Sequence, residues 1–78
     1  QLENQLIVQK REDLTFVWDA VKRLPESYRE AIHLHYYEGF PTAQIAEILG
    51  KKESSVRSDL RRGREKLREV LREEYDFE

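Results

Sequence analysis

The sequence predicts an all-α protein: a small four-helix domain with a C-terminal helix-turn-helix. Apolar residues recur every three or four positions over most of the chain, which is the period of an amphipathic helix. Pro25, Gly39 and Gly50 interrupt this period at points where helices commonly start or stop. The four helices are therefore expected near residues 13–24, 25–38, 42–49 and 53–73.

The length of 78 residues allows one domain with a small core. Residues 1–12 show no clear cap or partner, and we expect them to be a linker or N-terminal extension from an upstream domain. A disordered segment or a loosely packed helix is an equal alternative for them. Because the first residue is Gln1 rather than Met, we expect the chain to be a piece of a longer protein. The helical domain is predicted over 13–73, and residues 74–78 are predicted to be an acidic tail.

The first two helices are predicted to support the rest. Asp13 is expected to cap the first helix, and Trp18 to anchor the core. The second helix is expected to begin at Pro25, whose missing N–H costs nothing in a first turn. The apolar period predicts that the second helix buries Tyr28, Ala31, Ile32, Leu34 or His35, and Tyr36. Phe40 is expected to pack into the core from the connector.

The helix-turn-helix is predicted from residues 42–67. Ile45, Ile48 and Leu49 share one helical face, and Gly50 ends that helix because glycine accepts a left-handed conformation cheaply. A second apolar stripe follows on the last helix, with Gly63 on the same side. The predicted core consists of Trp18, Val21, Ile32, Ile45, Ile48, Leu49, Val56, Leu60 and Leu67.

The positive charge is concentrated in the last helix, although the whole chain has a net charge of −2. Residues 1–50 carry five basic and eight acidic groups, residues 51–72 carry nine and four, and residues 73–78 carry four acidic groups. A basic helix of this kind is also compatible with a solvated surface of Glu–Arg pairs, such as Glu65 with Arg68 or Glu69 with Arg72. Its place as the second helix of a helix-turn-helix favours nucleic-acid binding instead.

The candidate DNA-binding residues lie at the start of this helix. Arg57, Ser58, Arg61 and Arg62 form one outward strip over two turns, from which arginine can pair with guanine O6 and N7. Lys51 and Lys52 in the turn are expected to meet phosphate. The full predicted set is Lys52, Ser54, Ser55, Arg57, Ser58, Arg61, Arg62 and Arg64.

Other classes of function find no support in the residues. We predict no catalytic group, because no phosphate loop or nucleophile–base arrangement is recognisable. His33 and His35 are two apart on a helix and point roughly 200° apart, so they cannot bind one metal ion together. We expect no cofactor, no membrane span and, with no cysteine and no signal peptide pattern, a cytoplasmic protein.

Residues 24–71 resemble the fourth conserved region of bacterial RNA polymerase sigma factors, closest to the extracytoplasmic-function (ECF) group. The resemblance rests on four segments that match in order and spacing: LPESYRE, YYEGF, IAEILG and SVRSDLRRGREKL. IAEILG alone indicates only a helix-turn-helix.

The resemblance implies recognition of the upstream (−35) promoter element within RNA polymerase holoenzyme. Arg57, Ser58, Arg61 and Arg62 fall where family members contact bases or adjacent phosphates, and Ser55 falls where a threonine commonly touches the backbone. The helices over 13–38 are implied to be the platform for the flap of the polymerase β subunit, and an anti-sigma factor is a further implied partner. Promoter melting at −10 belongs to an N-terminal domain in this group.

This sequence departs from the family pattern at three places. Asp59 stands where a basic residue is common, and we expect it to tune specificity, repel phosphate or pair with Arg62. Pro41 stands where a capping Ser or Thr is usual, so Thr42 is expected to cap instead. Lys52 likewise replaces a usual cap, which leaves the start of the recognition helix less well fixed.

Two alternatives remain at this point. One is the DNA-binding output domain of a response regulator, which has a similar four-helix arrangement. The other is a protein-interaction module that keeps the helix-turn-helix fold but binds no DNA, for which Asp59 and the acidic tail give some support. Salt-dependent DNA binding distinguishes the two, because the promoter-binding hypothesis predicts it and the protein-interaction module does not.

Overall fold

The computed structural model describes residues 15–75, without the side chain of Tyr75. Within this range the chain forms four helices and no strand: α1 (Thr15–Val21), α2 (Glu26–Ile32), α3 (Thr42–Leu49) and α4 (Glu53–Tyr75). A wider π-helical segment, His33–Tyr37, continues α2. The predicted all-α fold with a C-terminal helix-turn-helix is thereby confirmed. The predicted linker 1–12 and the Asp13 cap lie outside the described residues.

The end of α1 lies at Val21, three residues before the predicted end. The backbone tightens there, with Arg23 N donating to Ala20 O at 3.0 Å and Leu24 N to Val21 O at 3.0 Å. A proline disfavours helical backbone at the residue before it, so Pro25 explains why Leu24 leaves the helix. Pro25 itself is the residue that precedes α2, not its first helical residue.

The π-helical segment changes which side chains face the core. Glu38 N donates to His33 O at 3.0 Å, a hydrogen bond that spans five residues. Such a wide turn breaks the 3.6-residue period expected from the sequence. The prediction that Tyr36 is buried is therefore wrong, because the residue is 51% exposed. Phe40, as predicted, packs against the core.

The core lies between α4 and the other three helices. Its buried members are Val17, Ala20, Val21, Leu24, Ala31, Ile32, Ile45, Val56, Leu60, Leu67 and Leu71. Six of the nine predicted core residues are among them. Trp18 and Leu49 are only partly buried against the core, and the prediction for Ile48 is wrong, since it is 50% exposed. Packing in the core therefore covers only part of the apolar face of α3: it buries Ile45 and leaves Ile48 exposed.

α4 crosses α2 at Gly63, where a side chain has almost no room. A Cβ at this position would lie 2.8 Å from Ile32 Cδ1 and 3.2 Å from Tyr28 Cβ. Real Cβ atoms rarely approach other heavy atoms that closely, so the glycine is what allows the two helices to approach. This close crossing fixes the direction of α4 relative to α2.

The turn between α3 and α4 is set by the backbone of Gly50. Its φ of 67° is left-handed, and Lys51 N donates to Ala46 O at 2.9 Å. This is the hydrogen bond of a Schellman motif, which satisfies a carbonyl at the end of a helix. The predicted stop of α3 at Gly50 is confirmed. No helix within residues 15–75 is long and apolar enough to span a membrane.

We predict that Ile45 and Ile48, one turn apart on α3, differ sharply in their contribution to stability. Ile45 is 0% exposed, so Ile45→Ala should lower the free energy of unfolding by about 2–5 kcal/mol. Ile48→Ala removes the same atoms from a half-exposed site and should cost about 1 kcal/mol or less. Urea denaturation followed by far-UV circular dichroism measures both, and equal losses would contradict the described packing.

Candidate nucleic-acid interface

α4 presents a stripe of arginine side chains to solvent. Arg57, Arg61 and Arg64 stand at successive turns, within roughly 60° of one another around the helix axis. The side chains of Arg57 and Arg61 are 61% and 58% exposed, and Arg64 is also exposed. The apolar stripe of the same helix faces the core, so the arginines are directed away from it. This geometry makes the stripe accessible to a polyanion.

The predicted DNA-binding residues lie together on the first three to four turns of α4 and the position before it. Ser58 is half-buried. The other seven are exposed: Lys52, Ser54, Ser55, Arg57, Arg61, Arg62 and Arg64. From first to last they extend over roughly 18 Å of helix at 1.5 Å per residue. Their contact with DNA stays a prediction.

Acidic neighbours engage part of this stripe. Arg57 Nη1 lies 2.9 Å from Glu53 Oε2, whereas Arg61 Nη1 lies 4.0 Å from Glu65 Oε2. The pairs named from the sequence differ from those observed, because Glu65 lies near Arg61 and Glu69 lies 3.7 Å from Lys66. Exposed pairs of this kind contribute less than about 1 kcal/mol each, so they leave the arginines available.

Asp59 holds the turn of the helix-turn-helix against α4. Its Oδ2 accepts from Lys51 Nζ at 2.9 Å, and the two side chains are only 16% and 30% exposed. The expected pairing of Asp59 with Arg62 is therefore replaced by one with Lys51. Lys51 is correspondingly held by a carboxylate, rather than extended for phosphate as expected. The reason is tertiary: the turn folds back over the flank of α4 that carries Asp59.

Thr42 links the starts of the two helices instead of capping its own. Pro41 precedes α3, and no side chain caps that end. Thr42 Oγ1 donates to Glu53 Oε2 at 2.6 Å, so the predicted Thr42 cap is wrong. Thr42 is already the first helical residue, and its hydroxyl points toward α4. The start of α4 is thus fixed by Glu53, although Lys52 offers no cap.

Two residues that contact the stripe were absent from the predicted site. Glu53 contacts Arg57, and its spacing of four residues on one helix was a signal visible in the sequence. Tyr36 is the other, because its hydroxyl accepts a hydrogen bond from Arg64 Nη1 at 3.0 Å. No pattern in the sequence predicts this contact, because it depends on the π-helical segment that turns Tyr36 outward.

A second surface feature is an apolar groove formed by the three shorter helices and the π-helical segment. Its apolar lining comprises Trp18, Val21, Leu34, Tyr36, Tyr37, Ile48 and Leu49. Tyr37 is 63% exposed, and its ring lies edge-on to Trp18 with centroids 5.3 Å apart. Within the described range the lining runs from residue 15 to residue 49, so α4 contributes nothing to it.

The two histidines occupy separate environments. His33 stacks on Tyr37 with ring centroids 4.9 Å apart, and its Nε2 lies 3.3 Å from Glu38 Oε2. His35 Nδ1 lies 2.9 Å from Phe40 O. Among residues 15–75, no group of three or more metal-ligating side chains is arranged to hold an ion.

Comparisons with known proteins agree with the helix-turn-helix geometry. RNA polymerase sigma factor SigZ of Bacillus subtilis is 38% identical over 61 residues, which are 78% of this chain and 35% of that protein. ECF RNA polymerase sigma factor SigL of Mycobacterium tuberculosis is 39% identical over 61 residues, 78% of this chain and 34% of SigL. ECF RNA polymerase sigma factor SigW of Bacillus subtilis is 38% identical over 53 residues, 68% of this chain and 28% of SigW.

The chain thus spans about a third of the length of these curated relatives. No solved structure matches it significantly. The family described as "Sigma-70, region 4" matches residues 17–67, which cover α2, α3 and the first part of α4 together with most of α1. The chain therefore belongs to the sigma-70 region 4 family.

Proposed function

We propose that this chain is the promoter-binding part of a sigma factor and recognises the −35 element within RNA polymerase holoenzyme. One observation carries the proposal: a chain of the sigma-70 region 4 family presents an exposed arginine stripe on the second helix of its helix-turn-helix. In this role the protein acts in the initiation of transcription. The proposed location is the bacterial cytoplasm, which contains the promoter DNA.

The start of α4 has the chemistry that a DNA groove requires. The free N–H groups and positive dipole of the helix N-terminus favour phosphate, and Lys52, Ser54 and Ser55 lie there. Arg57 and Arg61 stand one turn apart, at a spacing suited to base edges in the major groove. Arg64 lies further along, where the duplex backbone would curve past the helix.

The affinity of the domain by itself should be modest and strongly salt-dependent. A few Lys and Arg contacts to phosphate supply most of the non-specific binding, and salt weakens that term steeply. Specificity has to come from base contacts, each worth about 1–3 kcal/mol for a bidentate arginine. A sigma factor meets its promoter as part of a larger assembly, in which other contacts add to this affinity.

The relatives favour this role over that of a response-regulator output domain, since SigZ, SigL and SigW are sigma factors. The alternative is a protein-interaction module that binds no DNA, and measuring DNA binding at low salt distinguishes the two. The exposure of the arginine stripe argues against this module.

We further propose that the apolar groove binds the flap of the polymerase β subunit. Tyr36, Tyr37 and Ile48 expose half or more of their surface within one groove. Clustered apolar exposure of this kind commonly marks an interaction site. Among the residues that the structure describes, none of α4 lines the groove, so the flap and DNA can be bound together. An anti-sigma factor that occupied the groove would block the contact with the flap.

We predict that Arg57→Ala/Arg61→Ala abolishes the preference among promoter-like duplexes, because it removes the two arginines best placed for base edges. Fluorescence anisotropy with a pool of short duplexes, at low and moderate salt, measures that preference. The matched control is Lys66→Ala/Arg72→Ala, which removes the same charge roughly 14 Å or more beyond Arg57 on the same helix. The control should weaken binding without changing the preference.

Two results of this experiment would count against the proposal. One is an equal preference in the wild-type protein and the Arg57→Ala/Arg61→Ala variant. The other is the absence of binding by the wild-type protein even at low salt. The second result would favour the protein-interaction module.

We predict that Asp59→Asn strengthens binding to every duplex, because it releases Lys51 and removes a negative charge near phosphate. The slope of log K against log salt should become steeper by about one. Adding Lys51→Ala to Asp59→Asn should restore a slope close to that of the wild-type protein. If Lys51→Ala alone already lowers the slope by about one, Lys51 contacts phosphate despite Asp59 and the prediction is wrong.

We predict that Ile48→Glu weakens binding to RNA polymerase core about 10-fold or more, because it places a charge among the exposed apolar residues of the groove. Biolayer interferometry with purified core measures this affinity. Gln44→Glu adds the same charge to an exposed position of α3 outside the groove lining and should leave the affinity unchanged. Neither variant should change the preference among duplexes, and equal effects of both variants on core binding would contradict the groove assignment.

A further inference from the structure

Glu53 accepts contacts from both helices of the helix-turn-helix through one carboxylate oxygen. Its Oε2 lies 2.6 Å from Thr42 Oγ1, at the start of α3. The same oxygen lies 2.9 Å from Arg57 Nη1, one turn further along α4. The Glu53 side chain is 39% exposed, and that of Arg57 is 61% exposed. The carboxylate therefore lies at the edge of the arginine stripe.

Three physical effects hold this carboxylate in place. The hydroxyl of Thr42 donates a short, charge-assisted hydrogen bond from a different helix. The positive end of the α4 dipole favours a negative group at the first residue of that helix. A glutamate four residues before an arginine is the favoured orientation for a pair on one helix face. Glu65, by contrast, stands mid-helix and 4.0 Å from its arginine.

We infer that Glu53 is a positioning residue: it holds the guanidinium of Arg57 in place before DNA binds and thereby contributes to base specificity. The inference rests on the proposed function. One guanidinium nitrogen faces Glu53, and the fork retains further N–H donors for a base. A side chain that is already ordered loses less entropy when it binds, which raises the affinity for the matching base.

A purely structural role for Glu53 makes a different prediction. If the carboxylate only joins α3 to α4, its loss lowers stability and leaves the discrimination between duplexes unchanged in the folded protein. A direct contact between Glu53 and cytosine N4 would instead shift the preference at a position that Arg57 does not recognise. The test therefore has to identify the base position that Arg57→Ala affects.

The experiment measures anisotropy with the preferred duplex and with duplexes changed at single positions. Glu53→Gln keeps an oxygen that can accept from Thr42 but loses the charge that holds Arg57. It should lower discrimination roughly 5-fold at the position that Arg57→Ala affects, with no further loss when combined with Arg57→Ala. Glu65→Gln removes the same charge from the same helix and should leave discrimination unchanged. Circular dichroism at the binding temperature confirms that each variant is folded.

A second measurement needs no DNA. The ¹⁵N relaxation of the Arg57 Nε–H group should show an ordered guanidinium in the wild-type protein and a more mobile one in Glu53→Gln and in Thr42→Val. Equal mobility in all three proteins overturns the inference. So does equal discrimination in Glu53→Gln and Glu65→Gln, or a loss in Glu53→Gln that persists in the Arg57→Ala background.

The two proposals fail in different ways. If the wild-type protein shows no preference among duplexes, the proposed function fails and so does the contribution of Glu53 to specificity. The relaxation of Arg57 still decides whether Glu53 orders the guanidinium.

Discussion

The packing of the apolar stripe of α4 against the three shorter helices determines where every functional side chain lies. At Gly63 this helix passes so close to α2 that a Cβ would come within 2.8 Å of Ile32. Val56, Leu60 and Leu71 lie on the same stripe of the helix and are almost fully buried. Since one face of α4 is fixed in this way, the arginines on its remaining surface must face solvent. Because one rigid helix carries the candidate site on one side and core residues on the other, the packing of the core fixes the position of the site.

Carboxylates of α4 then tie this helix to the start of α3 and to the turn. Glu53 joins the start of α4 to Thr42, and Asp59 joins its second turn to Lys51. Each contact also engages a cation that the sequence alone would assign to DNA, Arg57 in the first case and Lys51 in the second. Acidic residues of this basic helix therefore engage cations of the helix-turn-helix within the protein itself.

The arginine stripe and the apolar groove use different parts of the fold. The groove is lined by the shorter helices and the π-helical segment, and the stripe belongs to α4. They come closest where Tyr36, which lines the groove, accepts a hydrogen bond from Arg64. A domain with these two surfaces can connect a protein partner to a DNA site, which is the arrangement that the proposed role in holoenzyme requires.

The sequence by itself determined the all-α class, the turn at Gly50, most of the core and the exposure of the arginine stripe. These features follow from local periodicity and from the backbone freedom of glycine, which are properties of neighbouring residues. Tertiary structure decided the outward position of Tyr36, the exposure of Ile48 and the partners of Asp59 and Thr42. Those features depend on a π-helical segment and on contacts between different helices and the turn, and a helical period extrapolated along the sequence contains neither.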